Sequence, residues 1–199
     1  MPSHAEDERY ARYKQDLSIE AVLRGHRLTF RTTWGLFSPT EVDEGTRLLL
    51  DHLEIGRADA CLDIGCGYGP IGIAMAKDAP EGRVCMVDKD FVAVDYARRN
   101  AEVNGLRNCE AILSNGLSHV PGEILFDNVA SNLPAKVGNE MFYVLFTDVR
   151  NRLKPGGRFT VVTVGGLREY VKRSFREIFG NYDKLKQGRE HTVSVAVRE

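Results

Sequence analysis

Long apolar runs are missing from this chain. No stretch approaches the ~18 residues of a membrane span, and the N-terminal MPSHAEDERYARYKQD is charged throughout, without the apolar centre of a secretory leader. A large excess of one charge is missing too: the formal net charge of -1 carries no polycation signature for nucleic acid over the molecule as a whole. Cys61, Cys66, Cys85 and Cys109 show no C-x-x-C spacing, and three of them lie in or beside apolar runs. Buried reduced thiols are therefore expected, with no disulfide and no metal centre. Repeats and low-complexity tracts are absent as well. The expectation is a soluble, cytoplasmic protein with no membrane partner, and nothing here sets an oligomeric state.

What is present fits one core. With 199 residues, 43% of them hydrophobic, the chain is long enough for one well-buried core and short for two. Charge is unevenly spread, because residues 150–199 hold 12 Lys and Arg against 5 Asp and Glu while residues 1–149 hold 15 against 23. A basic C-terminal quarter can meet a phosphate backbone, and it can equally be the solvated face of surface helices.

The run IEAVLRGHRLTFRT alternates in polarity and turns at Arg24-Gly25-His26, which predicts a β-hairpin. From Glu41 to Leu53 apolar residues recur at helical spacing (Val42, Leu48, Leu49, Leu53), with Ser38 or Thr40 as N-cap and Pro39 near the entry. Strand-like and helix-like runs then alternate: ACLDI, a helix over 70–79, VCMVD, a helix over 91–104, CEAILS, FDNVAS, a helix over 138–153, RFTVVTV, a helix over 167–179, and two closing strands near 182–186 and 192–198. This rhythm predicts a doubly wound α/β fold, a mostly parallel sheet of seven strands covered on both faces. The last two strands, joined by Gln187-Gly188-Arg189-Glu190, form a hairpin that introduces one antiparallel strand.

The chemistry begins in CLDIGCGYGPIGIAMA, where a strand ends at Asp63-Ile64 and the chain passes through Gly65-Cys66-Gly67-Tyr68-Gly69 into a helix. Glycines let a backbone approach a ligand closely, and a helix N-terminus aims amide donors at it. The spelling G-C-G-Y-G-P, with Asp63 before it, differs from the G-x-G-x-x-G/A of dinucleotide sites. VCMVD ends in Asp88, which suits the two hydroxyls of an adenosine ribose; the alternative is a cap for the helix beginning near Asp90 or Phe91. After the next strand, Ser114-Asn115-Gly116-Leu117 brings Asn115 or a neighbouring amide to an adenine edge.

Taken as a set, LDIGCGYG, VD, SN and SNLP resemble the class I S-adenosylmethionine-dependent methyltransferases, whose Rossmann-like fold ends in the hairpin described above. More narrowly, GLFSPTEVDEGTRLLLDHL followed by LDIGCGYGPIGIA is similar to the small methyltransferase domain family that includes the 16S and 23S ribosomal RNA guanine-N2 methyltransferases. The resemblance runs from about Gly35 to the C-terminus. It implies a methyltransferase domain over 41–199 behind an extension over 1–40 that carries the first hairpin. It also implies S-adenosylmethionine as cofactor, held by Phe37 and Ser38, by Asp63, Gly65, Cys66 and Gly67, by Asp88 and Lys89, by Asn115 and Gly116, and by Asn132. Larger ribosomal members carry a second, degenerate copy of the domain ahead of this one, for which 199 residues leave no room.

Through the same resemblance SNLPAK, residues 131–136, acquires a role. In amino-methylating relatives the stretch reads N-P-P followed by an aromatic or apolar residue. The Asn oxygen and the next backbone carbonyl accept hydrogen bonds from an exocyclic NH2, which favours a pyramidal nitrogen with its lone pair on the sulfonium methyl. Asn132, Leu133 and Pro134 are accordingly the catalytic candidates, and Leu133 keeps the carbonyl without proline's fixed φ, so that packing must hold the loop. Ala135 cannot stack on a base, leaving Trp34, Phe37 and Tyr68 as stacking candidates. Trp34 and Lys136 are the substrate-binding candidates, Lys136 for a phosphate or carboxylate. Set against these roles, Asn132 can be a turn residue bonding its own backbone, Trp34 a packing residue of the hairpin, and Lys136 a solvated lysine. The expected reaction is direct methyl transfer to the N2 amino group of a guanine in RNA, ribosomal RNA first. The alternatives are a small-molecule or protein side-chain acceptor, and a cofactor-binding module that has lost catalysis.

Overall fold

A computed structural model of the protein describes residues 15–135 and 138–199. Strands β1 (Leu17–Leu23) and β2 (His26–Thr32) pair antiparallel across a two-residue turn in which Arg24 and Gly25 both have positive φ, +50° and +82°. That twist matches the twist of paired strands. The guanidinium of Arg24 holds this turn down by donating to the Asp78 carboxylate and the Leu50 carbonyl, and His26 Nε2 lies 2.8 Å from Asp78 Oδ1. Alternation sends Ile19, Ala21, Leu23, Leu28 and Phe30 inward.

The next helix, α1, spans Glu44–Leu50 and starts later than the apolar spacing predicts. Its cap is neither Ser38 nor Thr40 but Asp43, whose Oδ2 accepts the Thr46 amide at 3.0 Å. Ser38 instead adopts φ +48° and donates its hydroxyl to the Glu41 carbonyl at 2.7 Å, a turn conformation that no helix can incorporate.

The expected alternation follows: β3 (Ala60–Ile64), α2 (Pro70–Asp78), β4 (Arg83–Asp88), α3 (Phe91–Val103), β5 (Cys109–Leu113), β6 (Phe126–Asn132), α4 (Asn139–Arg152), β7 (Leu153–Val164), α5 (Arg168–Phe179), β8 (Asp183–Gln187) and β9 (His191–Val197). The strands form one seven-stranded sheet in the order β5-β4-β3-β6-β7-β9-β8, with β9 antiparallel to both neighbours. The fold class read from the sequence is thus the one observed. One core cluster, mostly aliphatic but including Phe30, Tyr68 and Tyr96, joins the first hairpin, α1, α2 and α3. The other joins α4 and α5 to the sheet and is aromatic: Phe146 lies 5.5 Å from Phe159 and 5.2 Å from Phe175 between ring centroids. Each fully buried phenylalanine contributes about 1.5–3 kcal/mol.

The first hairpin is docked by two asparagines one helical turn apart on α3. Asn100 takes the Arg31 amide on its Oδ1 at 2.7 Å and donates to the Arg31 carbonyl at 2.9 Å. Asn104 does the same for Thr29, at 3.1 and 2.8 Å. The two side chains complete the open edge of β2 as a third strand would. At the centre of the sheet β3 has β4 on one side and β6 on the other, and the chain winds outward in both directions from there. Such a reversal leaves a crevice beyond the carboxyl ends of the strands, where ligands of doubly wound sheets bind.

Candidate active site

The β3–β4 half of the crevice is built from backbone. Gly65 and Cys66 both donate their amides to the Val87 carbonyl, at 2.8 and 3.0 Å, and Gly67 donates to Asp88 Oδ2 at 2.9 Å. Gly69 donates to the Cys66 carbonyl at 2.9 Å and caps α2 through its backbone alone. The amides of Gly65, Cys66, Gly67 and Gly69 are therefore already engaged, three of them by the end of β4 and one within the loop. What it offers a ligand is a bare surface: Gly65 and Gly67 have φ of +71° and +54°, and a Cβ on either would meet nothing within 4 Å. Only glycine adopts these conformations freely, and only glycine leaves that space open for a cofactor to lie against the main chain.

Asp88 is fixed from two sides, Oδ2 by Gly67 and Oδ1 by the Asp90 amide at 2.9 Å. The cap of α3 is Asp90, which accepts the Val92 amide at 2.8 Å, so Asp88 keeps lone pairs for a ligand at the mouth of the crevice. Asp63 is fully buried. Its Oδ2 accepts the Gly72 amide at 2.8 Å, which ties β3 to the first turn of α2, and its Oδ1 has no partner among the described residues. Burial, with a smaller push from the Asp88 charge, raises the Asp63 carboxyl from 3.8 to about 7 against the opposing pull of the Gly72 amide. Burial likewise pushes the Cys66 thiol well up, which makes it a packing residue and not a nucleophile.

The β6 half depends on side chains. Ser131 donates its hydroxyl to the Ile64 carbonyl at 2.7 Å and binds the end of β6 to the end of β3. Asn132 closes β6, and its Nδ2 donates to Asp43 Oδ2 at 2.9 Å and to Thr46 Oγ1 at 3.0 Å. Leu133 is buried at 3% exposure and donates its amide to the Val162 carbonyl at 3.0 Å. A proline at 133 has no amide to give, so the leucine exchanges a fixed φ for a hydrogen bond and an apolar anchor. Pro134 and Ala135 follow, exposed.

A family model described as the methyltransferase small domain matches residues 27–194. The chain belongs to the methyltransferase small domain family. Membership bears out the recognition of a methyltransferase, with S-adenosylmethionine as its methyl donor. Among similar proteins, the uncharacterized protein YbxB of Bacillus subtilis (strain 168) is 36% identical over 141 residues, covering 70% of each chain. Ribosomal RNA large subunit methyltransferase G of Shewanella amazonensis is 30% identical over 179 residues, 87% of this chain and 46% of that one. A similar solved structure is the T. thermophilus 16S rRNA N2 G1207 methyltransferase (RsmC) in complex with AdoMet and guanosine. It superposes with a TM-score of 0.84 at 28% identity and covers 92% of this chain and 51% of that one. The chain thus spans about half the length of these two ribosomal RNA methyltransferases.

Placed on the methyltransferase fold, Asp63, Gly65, Cys66 and Gly67 at the end of β3, Asp88 and Lys89 at the end of β4, Asn115 and Gly116 after β5, and Asn132 to Pro134 after β6 share one rim of the sheet. Phe37 and Ser38 lie on the segment that leads into Asp43 and so into contact with Asn132. Of the three stacking candidates, Phe37 is 67% exposed and Trp34 45%. Tyr68 is buried, edge-on to Phe30 with ring centroids 5.6 Å apart, and its hydroxyl donates to the Glu41 carbonyl at 3.3 Å. It belongs to the core. Lys136 lies outside the described residues. Sequence reasoning overlooked Asp43 and Thr46, although both stand in the quoted VDEGT, and Gly72, where a Cβ would come within 2.3 Å of Met86 Cγ. Gly72 supplies the close helix-to-strand approach that the third glycine supplies in dinucleotide sites.

Proposed function

We propose that this methyltransferase transfers a methyl group from S-adenosylmethionine to the exocyclic N2 of a guanine in RNA, with ribosomal RNA as the substrate class and the cytoplasm as its setting. In this reading residues 41–199 form the catalytic domain and residues 1–40 an extension whose β1–β2 hairpin docks on α3. The observation that carries it is the SNLP loop. Asn132 is anchored through its amide nitrogen and Leu133 by burial and by its bond to Val162, and in this reading the Asn132 oxygen and the Leu133 carbonyl are the two acceptors. A planar aromatic amine has its lone pair delocalised into the ring; two acceptors draw its hydrogens to one side and turn the lone pair toward the donor.

When bound, the cofactor supplies an electrophilic methyl on sulfur. The open backbone at Gly65 and Gly67 and the anchored carboxylate of Asp88 are the groups that would hold its adenosyl part. The protein's own contribution is alignment. No side chain need act as base, because the amine sheds its proton once methylation has made it cationic.

An RNA acceptor draws support from charge around the same rim. β9 enters the sheet at His191, opposite Val164 at the end of β7, which brings the β8–β9 turn and the start of α5 to the strand end that carries Asn132. Arg168, Lys186 and Arg189 stand there with no ion pair among the described residues, suited to a phosphate backbone. The test offers purified protein and tritiated S-adenosylmethionine in parallel to total RNA from a strain lacking the gene, to protein extract and to a metabolite fraction. Label in RNA is the expected result; label confined to protein or metabolites overturns the reading.

A further inference from the structure

Asn132 ends a strand, yet its side chain is anchored on a helix start 86 and 89 residues earlier in the chain, at Thr46 and Asp43. An asparagine amide has an acceptor end and a donor end. If it flips, the end that should receive an amine's hydrogens becomes an NH2 that repels them. A carboxylate only accepts. Asp43 therefore requires the NH2 end of Asn132 to face it, and Oδ1 to face away, whichever way the amide is first drawn. The same Oδ2 accepts the Thr46 amide at 3.0 Å, so the carboxylate is itself locked to the first turn of α1. Gly45 allows that turn to come so close: a Cβ there would lie 2.8 Å from His191 Cδ2 on β9 and 3.0 Å from Asp43 Oδ2.

We propose that Asp43, assisted by Thr46, is a positioning residue that fixes the Asn132 amide with its oxygen toward the methyl acceptor. This rests on the reading of Asn132 as an acceptor-orienting group. It gives the N-cap of α1 a second task, and the two tasks can be separated. Serine caps a helix as well as aspartate does but is too short to reach Asn132. In Asp43→Ser, turnover falls about 10²-fold, while KM for S-adenosylmethionine and the melting temperature stay near wild type. Asp43→Asn keeps an oxygen for both bonds and restores most of the turnover.

The second readout is the side-chain amide pair of Asn132 in 15N-labelled protein, assigned by its disappearance in Asn132→Ala. In the wild type the pair is shifted away from the exposed amides and exchanges slowly with solvent; in Asp43→Ser it moves to the position of a free amide and exchanges fast. Wild-type turnover in Asp43→Ser, or an unmoved Asn132 pair, overturns the proposal. Failure of the wild-type protein to methylate RNA would overturn the reading of the acceptor instead, and the amide spectrum would still decide whether Asp43 orients Asn132.

Discussion

On the β3–β4 side of the crevice the surface is main chain, shaped by contacts between neighbouring strand ends: Gly65, Cys66 and Gly67 bond to Val87 and Asp88, and no side chain projects from either glycine. On the β6 side the working group is a single side chain, Asn132, held by α1 from the far end of the sequence. The first half is a shape that any adenosyl ligand could lie against. The second is an orientation, and its precision depends on a tertiary contact. Cofactor binding and methyl transfer should therefore respond to different substitutions.

The largest effect is expected from the β6 half. Asn132→Ala should lower turnover by about 10²–10³-fold and leave calorimetric affinity for S-adenosylmethionine close to wild type, because the cofactor loop is untouched. On the other half, Asp88→Ala should weaken that affinity by about 1.5–3 kcal/mol, roughly 10- to 100-fold. Unchanged affinity would remove Asp88 from the site.

Two glycines sharpen the comparison within the cofactor half. In Gly72→Ala the new Cβ would press on Met86 Cγ at 2.3 Å, so thermal unfolding should report a loss of about 1–3 kcal/mol. Gly67→Ala places its Cβ in open crevice at φ +54°, so it should cost about 1 kcal/mol of stability but block the cofactor's approach. The ratio of lost affinity to lost stability should be higher for Gly67→Ala. Equal ratios would mean that the crevice is not where the cofactor lies.

A separate effect concerns pH. Asp63 is raised from 3.8 to about 7 in the folded protein, so the folded state binds the proton more tightly. Its contribution is intact below the lower value and is lost as pH rises through about 7. Asp63→Asn removes that titration, and urea unfolding at about pH 5 and about pH 8 should show a shallower fall in stability than the wild type.

Where local signals agree, the sequence is readable. The Arg24-Gly25 turn, the strand and helix alternation, the closing hairpin and the glycine loop all announce themselves within a few residues, and the structure has each of these elements in place. Asp43 was hidden because Ser38, Pro39 and Thr40 offer an equally good helix entry on local grounds; the contact that singles out Asp43 is with Asn132. Gly72 was hidden because its need for a bare Cα, in helix α2, arises from Met86 on β4. Asn100 and Asn104 look like the polar face of a helix until β2 lies against them. Tyr68 reads as a ring near the cofactor loop until Phe30 of the first hairpin covers it. In each case a partner distant in sequence decides the role.

The central claim is that the acceptor is an exocyclic amine oriented by the SNLP loop, and the most direct test is the chemical identity of the product. RNA methylated by the purified protein is digested to nucleosides and the labelled nucleoside separated by chromatography. Label that co-migrates with N2-methylguanosine is the expected result. Label on a ring nitrogen, a ring carbon or a ribose oxygen would contradict it, because those acceptors have no NH2 for Asn132 and Leu133 to hold.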